Sequence, residues 1–320
     1  MRSDALISVY DISRATARIH GYAYRTPTYP CFSEGTAWIK LECFQPVRSF
    51  KIRGAANKIL SLPSERLARG VITASSGNHG LAVAYVAHKL GVRAIIVLPE
   101  TVVLEKLSMI KSLGAAAVLF GKQQDERQLK ANEICKAEGL EFIQPYNDIE
   151  IITGQATCGL ELIEDVPDLE TVFVPIGGGG LISGVASALK LEPHRERIKV
   201  IGVQAEGSPS MYKSFSNHEL SSIEESKTIA DGLSVRKPGD ITFEFVKRFV
   251  DDIMLVSDEE IIQATAQLIK KEHVLAEPSG AAAFAGLIKM RKEKKNTTKS
   301  AAIVSGGNIS AEMITKIATL

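Results

Sequence analysis

The sequence predicts an α/β protein built on two open, mainly parallel twisted sheets with helices on both faces. Three observations carry that prediction. From residue 70 onward, seven short runs rich in β-branched residues alternate with amphipathic segments, which implies right-handed crossovers and sheets covered on both sides. Chemically unusual loops follow directly on three of those runs, at the position where open α/β sheets bind ligands. The length of 320 residues suits one large domain or two of ordinary size.

Ahead of the alternation, "RSFKIRGAANKIL" (48–60) reads as a helix. Ser49 is a good N-cap, and Ile52, Ala56 and Ile59 recur at helical spacing. One residue is out of place. Lys51 falls in the first turn, directly behind Phe50, where the helix macrodipole disfavours a cation by about 0.3–1 kcal/mol. A solvated surface lysine tolerates that cost. A lysine that forms a Schiff base gains from it, because the positive end of a helix lowers its pKa.

"GVITA" (70–74) is the first strand of the alternation, and "SSGNHG" (75–80) then opens a helix. Ser75 and Ser76 offer hydroxyls, Gly77 lets the backbone turn, and free N–H groups there suit a carboxylate. A capping turn accounts for one serine and the glycine, but not for Asn78 beside His79. "RAIIVLP" (93–99) and "AAVLF" (116–120) follow as strands. "TVFVPI" (171–176) leads into Gly177, Gly178, Gly179 and Gly180 and then the helix "LISGVASALK". Four consecutive glycines are costly in folding entropy and exceed what a tight turn needs, whereas their N–H groups at a helix start make a cradle for a phosphate. The dinucleotide pattern G-x-G-x-x-G fails, because its third glycine falls on Ile182 or Ser183. The next strand, "KVIGVQ" (199–204), also ends in Gln204 rather than an acidic residue. A P-loop fails for want of Gly-Lys-Ser/Thr, which leaves a single terminal phosphate. "DIMLVS" (252–257) and "AAIVS" (301–305) complete the strands, the last presenting Ser305 within "VSGGN". We place a small domain at 66–147, with 1–65 and 148–320 forming the large, ligand-binding domain.

Composition sets the class. Hydrophobic residues make up 45% and charged residues 23%, as in a soluble globular enzyme, and 38 basic against 37 acidic residues leave no electrostatic footprint for nucleic acid or membrane. The one dense basic run, "KMRKEKKNTTK" (289–299), reads as a solvated loop. Cys31, Cys43, Cys135 and Cys158 show no metal-binding spacing and read as free thiols in a reducing cytoplasm. The N-terminus lacks the apolar stretch of a signal peptide, and no apolar run reaches membrane-spanning length. A lysine at a helix start, a one-phosphate cradle, a carboxylate pocket and a hydroxyl at the sheet edge together form the set that pyridoxal phosphate needs.

The sequence resembles the fold-type II pyridoxal-phosphate enzymes (the tryptophan synthase β-like fold), and within them the threonine dehydratase and serine racemase group. The likeness runs along nearly the whole chain: "RTPT" (25–28), "KLECFQPVRSFKIRGA" (40–55), "SSGNHG", "GQAT" (154–157), "VPIGGGGL" (174–181), "TIADGLSVRKPG" (228–239), "VDDIMLVSDEEI" (250–261), "AEPSGA" (276–281) and "SGGN". The resemblance implies a cofactor in an interdomain cleft, with Lys51 as the Schiff-base lysine and Phe50 packed near the ring. It further implies that Asn78 donates to the ring 3-oxygen and that Gly177–Gly180 hold the phosphate. Ser305 faces the pyridine nitrogen, with the Gly232 carbonyl nearby, and Ser75, Gly77 and His79 line the carboxylate pocket. The implied reaction is β-elimination: Lys51 removes the Cα proton, the β-hydroxyl leaves, and L-threonine or L-serine becomes a 2-oxo acid and ammonia. A hydroxyl partner at Ser305 does not hold the pyridine nitrogen protonated, which favours elimination over transamination. Ser76, on the opposite face of Cα, permits racemisation without requiring it.

Departures from the family pattern bound these expectations. Arg48 stands where the family usually has glycine and suits an acidic 3-hydroxy amino acid. Gln204 and Ser210 replace the acidic residues of cation-binding members, so no metal site is expected, although Glu206 is close by. The chain ends at Leu320 soon after "SGGN", so no C-terminal regulatory domain is expected. A cytoplasmic homodimer follows from the resemblance. Alternative readings are a serine racemase, a 3-hydroxyaspartate-type dehydratase, or a non-catalytic metabolite-binding protein on the same scaffold.

Overall fold

The computed structural model of the protein describes residues 7–75, 77–102, 104–121, 124–191, 197–294 and 298–318. In chain order the strands are β1 (Thr28–Pro30), β2 (Ala37–Leu41), β3 (Val71–Ala74), β4 (Ala94–Leu98), β5 (Ala116–Leu119), β6 (Glu141–Phe142), β7 (Thr171–Pro175), β8 (Lys199–Ala205), β9 (Asp252–Val256) and β10 (Ser300–Val304). All seven runs read from the sequence are strands. The reading missed β1, β2 and β6.

The strands form two sheets. A six-stranded sheet runs β1-β2-β10-β7-β8-β9, with only β1 antiparallel to its neighbour, and a four-stranded sheet runs β5-β4-β3-β6, all parallel. Helices cover both faces of each, and the strands sort their side chains accordingly with period two. On one face of the large sheet Val172, Val174, Val200, Ala301 and Ile303 join one apolar core. Phe173, Ile201, Val203, Ala302 and Val304 point the other way into a second. In the small sheet Val71, Ile96 and Leu98 oppose Ile72, Ala74, Ile95 and Val97 in the same manner.

Strand order locates the site before any side chain is considered. In the large sheet the chain steps from β7 outward through β8 to β9 and then returns to place β10 on the other side of β7. In the small sheet it steps from β3 through β4 to β5 and returns to place β6 beside β3. Each sheet therefore has one point where its order reverses, and ligands bind at such points beyond the carboxyl ends of the strands. The four loops concerned begin at residues 75, 143, 176 and 305.

The helix Lys51–Leu60 is carried between the two sheets. Ile52, Ala55, Ala56 and Ile59 pack into the small-sheet core. The fully buried Arg53 anchors the same helix to the opposite side. Its Nε and Nη2 donate to Glu42 at 2.7 and 2.8 Å, and its Nη1 and Nη2 donate to Glu161 at 2.7 and 2.8 Å. Lys40, also fully buried, pairs with Glu161 at 2.8 Å.

Candidate active site

The helix Lys51–Leu60 starts one residue later than the sequence suggests. Phe50, not Ser49, is the N-cap residue, and no side chain caps the helix by bonding its second or third amide. Ser49 is held instead in an antiparallel bridge with Gly306, and Phe50 N donates to Ser305 O at 3.1 Å. This pairing ties the helix start to the loop after β10. Arg48, just before it, has φ +55°, the left-handed region that favours glycine, which accounts for the glycine usual at this position; its side chain is exposed.

Lys51 reaches from there to the loop after β6. Its Nζ donates to Pro145 O at 2.7 Å and lies 5.2 Å from the centroid of the Phe50 ring. Burial lowers its pKa from 10.5 to about 8. At pH 7 roughly a tenth of the amine is then neutral, against about 0.03% for an ordinary lysine. The amine is thus prepared for nucleophilic attack by desolvation.

The tetraglycine loop packs against Tyr146, the residue that follows the carbonyl bonded by Lys51. Gly179 has φ +95°, and its neighbours leave no room for a side chain at the other three: a Cβ on Gly177 would come within 2.9 Å of Gly232 O, and Cβ atoms on Gly178 and Gly180 would strike Tyr146 at 2.5 and 2.9 Å. Thr242 Oγ1 donates to Gly178 O at 2.7 Å and pins the bend. The helix Gly180–Leu191 then begins with its first amides at this bend, the arrangement that holds an anion. Gly232 N donates to Ser279 Oγ at 2.9 Å, and Ser305 Oγ reaches Ser279 O only at 3.5 Å, leaving that hydroxyl available to a further partner.

On the small-sheet side, Asn78 opens the helix Asn78–Leu90. Its Nδ2 donates to Glu277 Oε1 at 2.6 Å and its Oδ1 accepts from Asn308 Nδ2 at 2.7 Å. Ser75 Oγ accepts from Gly77 N at 3.3 Å, and the space beside Gly77 is open for 4 Å. His79 is deeply buried, with Nε2 3.0 Å from Ile143 O; burial, aided by the Lys51 charge, lowers its pKa to about 3, so it stays neutral. It supports the loop after β6 from beneath. Ser76 lies outside the described residues. Lys51, Phe50, Asn78, Gly177–Gly180, Gly232 and Ser305 are brought together, with Ser75 and Gly77 in the loop that leads into Asn78; His79, expected to line the carboxylate pocket, is instead buried against Ile143. Sequence reasoning assigned no role to Pro145, Tyr146, Thr242, Glu277, Ser279 or Asn308, although Glu277 and Ser279 lie in "AEPSGA".

These residues fit pyridoxal phosphate: a poised amine, an anion-binding helix start, a hydroxyl with spare capacity and open space by Gly77. Gln204 Oε1 accepts from Tyr212 N at 2.8 Å and Ser210 Oγ donates to Val235 O at 2.6 Å, so both positions serve the fold. Among the described residues no cluster of His, Cys, Asp and Glu is arranged to hold a metal ion, and no helix is long and apolar enough to cross a membrane.

Two parallel-sheet units meeting at their switch points, with a lysine between them, form the architecture of the fold-type II pyridoxal-phosphate enzymes. The chain belongs to the pyridoxal-phosphate-dependent enzyme family, whose pattern matches residues 19–306. It is 42% identical over 318 residues to an L-threonine ammonia-lyase of Thermotoga maritima, covering 98% of this chain and 78% of the relative. Among solved structures, the processed threonine deaminase isoform 2 of Solanum lycopersicum superposes with TM-score 0.94 at 34% identity, over all of this chain and 89% of that one. Maize serine racemase superposes with TM-score 0.91 at 34% identity, over 98% of both.

Proposed function

We propose that the protein is an L-threonine/L-serine ammonia-lyase, which removes water from a 3-hydroxy amino acid to give an enamine that, once released, takes up one water and yields 2-oxobutanoate or pyruvate with ammonia. The observation that carries the reading is the Lys51 amine, partly neutral and fixed between the loops after β6 and β10. The relatives named as threonine ammonia-lyases and deaminases support the reaction class. Bound pyridoxal phosphate supplies an electron sink for charge developing at Cα. In this reading Lys51 and Asn78 engage the ring substituents, Gly177–Gly180 hold the phosphate, Ser305 with Gly232 faces the ring nitrogen, and Phe50 packs beside the ring. Ser75, Ser76 and Gly77 orient the substrate carboxylate, while His79, buried behind them, supports the loop after β6. Lys51 also acts as the base at the Cα proton, and Pro145 O holds its nitrogen in place between transfers. The Phe50 and Tyr146 rings exclude water from this region. Racemisation is a side activity, supported by the likeness to a serine racemase.

We further take the protein to be cytoplasmic and homodimeric. The four free cysteines support the first and the family likeness the second. Residues 66–147 are taken as the smaller unit, which the confinement of the small sheet to 71–142 supports.

Incubation with L-threonine, L-serine, D-serine and 3-hydroxyaspartate, with 2-oxo acid and ammonia measured, tests the reading. L-Threonine and L-serine are expected to turn over, borohydride is expected to fix the cofactor on Lys51, and Lys51→Ala should lose at least about 10³-fold in rate. Full 2-oxo acid production by Lys51→Ala would sink the assignment.

A further inference from the structure

One buried carboxyl touches the site without a part in the reaction described. Glu277, only 7% exposed, sits between the loop after β10 and the start of the helix Asn78–Leu90. Its position depends on two glycines. A Cβ on Gly306 would stand 2.0 Å from Glu277 Oε1, and one on Gly280 would stand 2.1 Å from Gly306 O. The main chain is joined there as well, with Glu277 N donating to Gly306 O at 3.1 Å.

The hydrogen bonds around Asn78 have one possible direction. Asn308 Nδ2 donates both to Val47 O at 2.9 Å and to Asn78 Oδ1 at 2.7 Å. A backbone carbonyl only accepts, so Asn308 must turn its NH₂ group toward Val47. That group then faces the Asn78 oxygen, and the Asn78 nitrogen is left facing Glu277, which accepts one of its two hydrogens at 2.6 Å. Turning the Asn78 amide over would oppose two donors at Asn308 and two acceptors at Glu277. Since the two ends of an amide have the same shape, it is this chain of partners that decides their placement.

We propose that Glu277 is a positioning residue: it fixes the Asn78 amide so that its second N–H is offered to an oxygen acceptor of the ligand in the cleft. The proposal rests on the reading of Asn78 as a donor to the cofactor. It also gives the site a pH dependence. Burial raises Glu277 to about 7, with Asp231 adding to the rise and the Asn78 hydrogen bond and Lys106 opposing it. Asp231 comes from the turn Asp231–Leu233 and Lys106 from the helix Leu104–Ser112, and the Cys43 thiol also feels the Glu277 charge. A protonated Glu277 is itself a donor, which removes one of the two penalties for turning Asn78 over, so the amide is held less firmly below neutral pH.

The test uses the full-length, cofactor-free protein labelled with ¹⁵N-asparagine, the Asn78 side-chain signal being the one lost in Asn78→Ala. Between pH 5 and 9 that signal should shift with a midpoint near neutrality in the unaltered protein and stay still in Glu277→Gln, whose amide oxygen still accepts. Pyridoxal phosphate affinity, read from fluorescence titration, should fall roughly tenfold in Glu277→Ala and no more than about twofold in Glu277→Gln, as expected for one neutral hydrogen bond lost or kept. Thermal unfolding verifies that each variant is folded; should Glu277→Ala not fold, Glu277→Gln and the titration carry the test. An Asn78 signal indifferent to pH, or weakened binding in Asn78→Ala with none in Glu277→Ala, overturns the proposal. Unchanged binding in Asn78→Ala instead overturns the reading of Asn78 on which it rests.

Discussion

Lys51 heads a helix with no acidic residue in its first turn, and burial lowers its pKa from 10.5 to about 8. The sign of its effect on stability follows. Its folded pKa lies below its unfolded one, so the folded state binds fewer protons between pH 8 and 10.5 and stability rises with pH across that window. Below pH 8 the full penalty of burying an ammonium persists, about 2–3 kcal/mol after allowance for its partial contact with solvent. Lys51→Met in the cofactor-free protein should therefore unfold at a temperature several degrees higher at pH 7, the advantage shrinking as pH approaches 10.5. A variant no more stable at neutral pH would show that the amine is well solvated. The residues legible from sequence were those out of place in their local setting: a cation at a helix start, four glycines in a row, Asn78 beside His79. Glu277 and Asn308 were not legible, because their meaning comes from Asn78, 199 and 230 positions away.

At the level of elements, the helix that presents Lys51 is clamped from beneath by two cations and two carboxylates, all buried. Arg53 makes a bidentate pair with Glu42 and a second with Glu161, and donates to Thr157 Oγ1 at 3.0 Å and Tyr24 O at 3.2 Å. Burial pushes Glu42 upward, but the guanidinium overrides it and holds the carboxyl below its usual range. Removing the arginine alone leaves Glu42 with only the neutral donors Thr26 and Gln45, and Glu161 with Lys40 alone. Arg53→Met is expected to cost about 3–5 kcal/mol in urea unfolding, and Arg53→Lys to recover little, since an ammonium cannot reproduce the paired forks. Adding Glu42→Leu to Arg53→Met should restore part of the loss; strict additivity would mean that the pair is not coupled. None of this network was read from sequence, where Arg53 looks like an ordinary polar residue of an amphipathic helix. The missed strands have a similar cause. β1 and β6 are three and two residues long, and β2 carries Lys40 just before its last residue, a buried lysine intelligible only beside Glu161. The Ser49 cap failed for a tertiary reason, its backbone having been taken by Gly306.

Over the whole molecule, the alternation of strands and helices revealed two sheets but not how their cores are shared. The switch points, which bring the loops at 75, 143, 176 and 305 together, depend on strand order and so on packing that periodicity does not encode. The same packing decides whether the smaller unit is self-sufficient. Its sheet lies wholly within 71–142, yet the core on one face of that sheet is completed by Ile19, Val47, Ile52, Ala55, Ala56, Ile59 and Ile151, all outside 66–147. Excision of 66–147 would expose Val71, Val83, Ile96 and Leu98 at the places those side chains cover. Losing the burial of four large aliphatic side chains, at about 1.5–3 kcal/mol each, equals or exceeds the usual margin of a domain this size. The fragment 66–147 is therefore expected to lack the dispersed amide spectrum and sharp thermal transition of a folded unit. By the same argument the intact, cofactor-free chain should unfold in one transition, with circular dichroism and tryptophan fluorescence coinciding although Trp38 lies in the large sheet. A stably folded fragment, or two separated transitions in the intact chain, would mean that the helix bearing Lys51 belongs to the large sheet alone and merely rests on the small one.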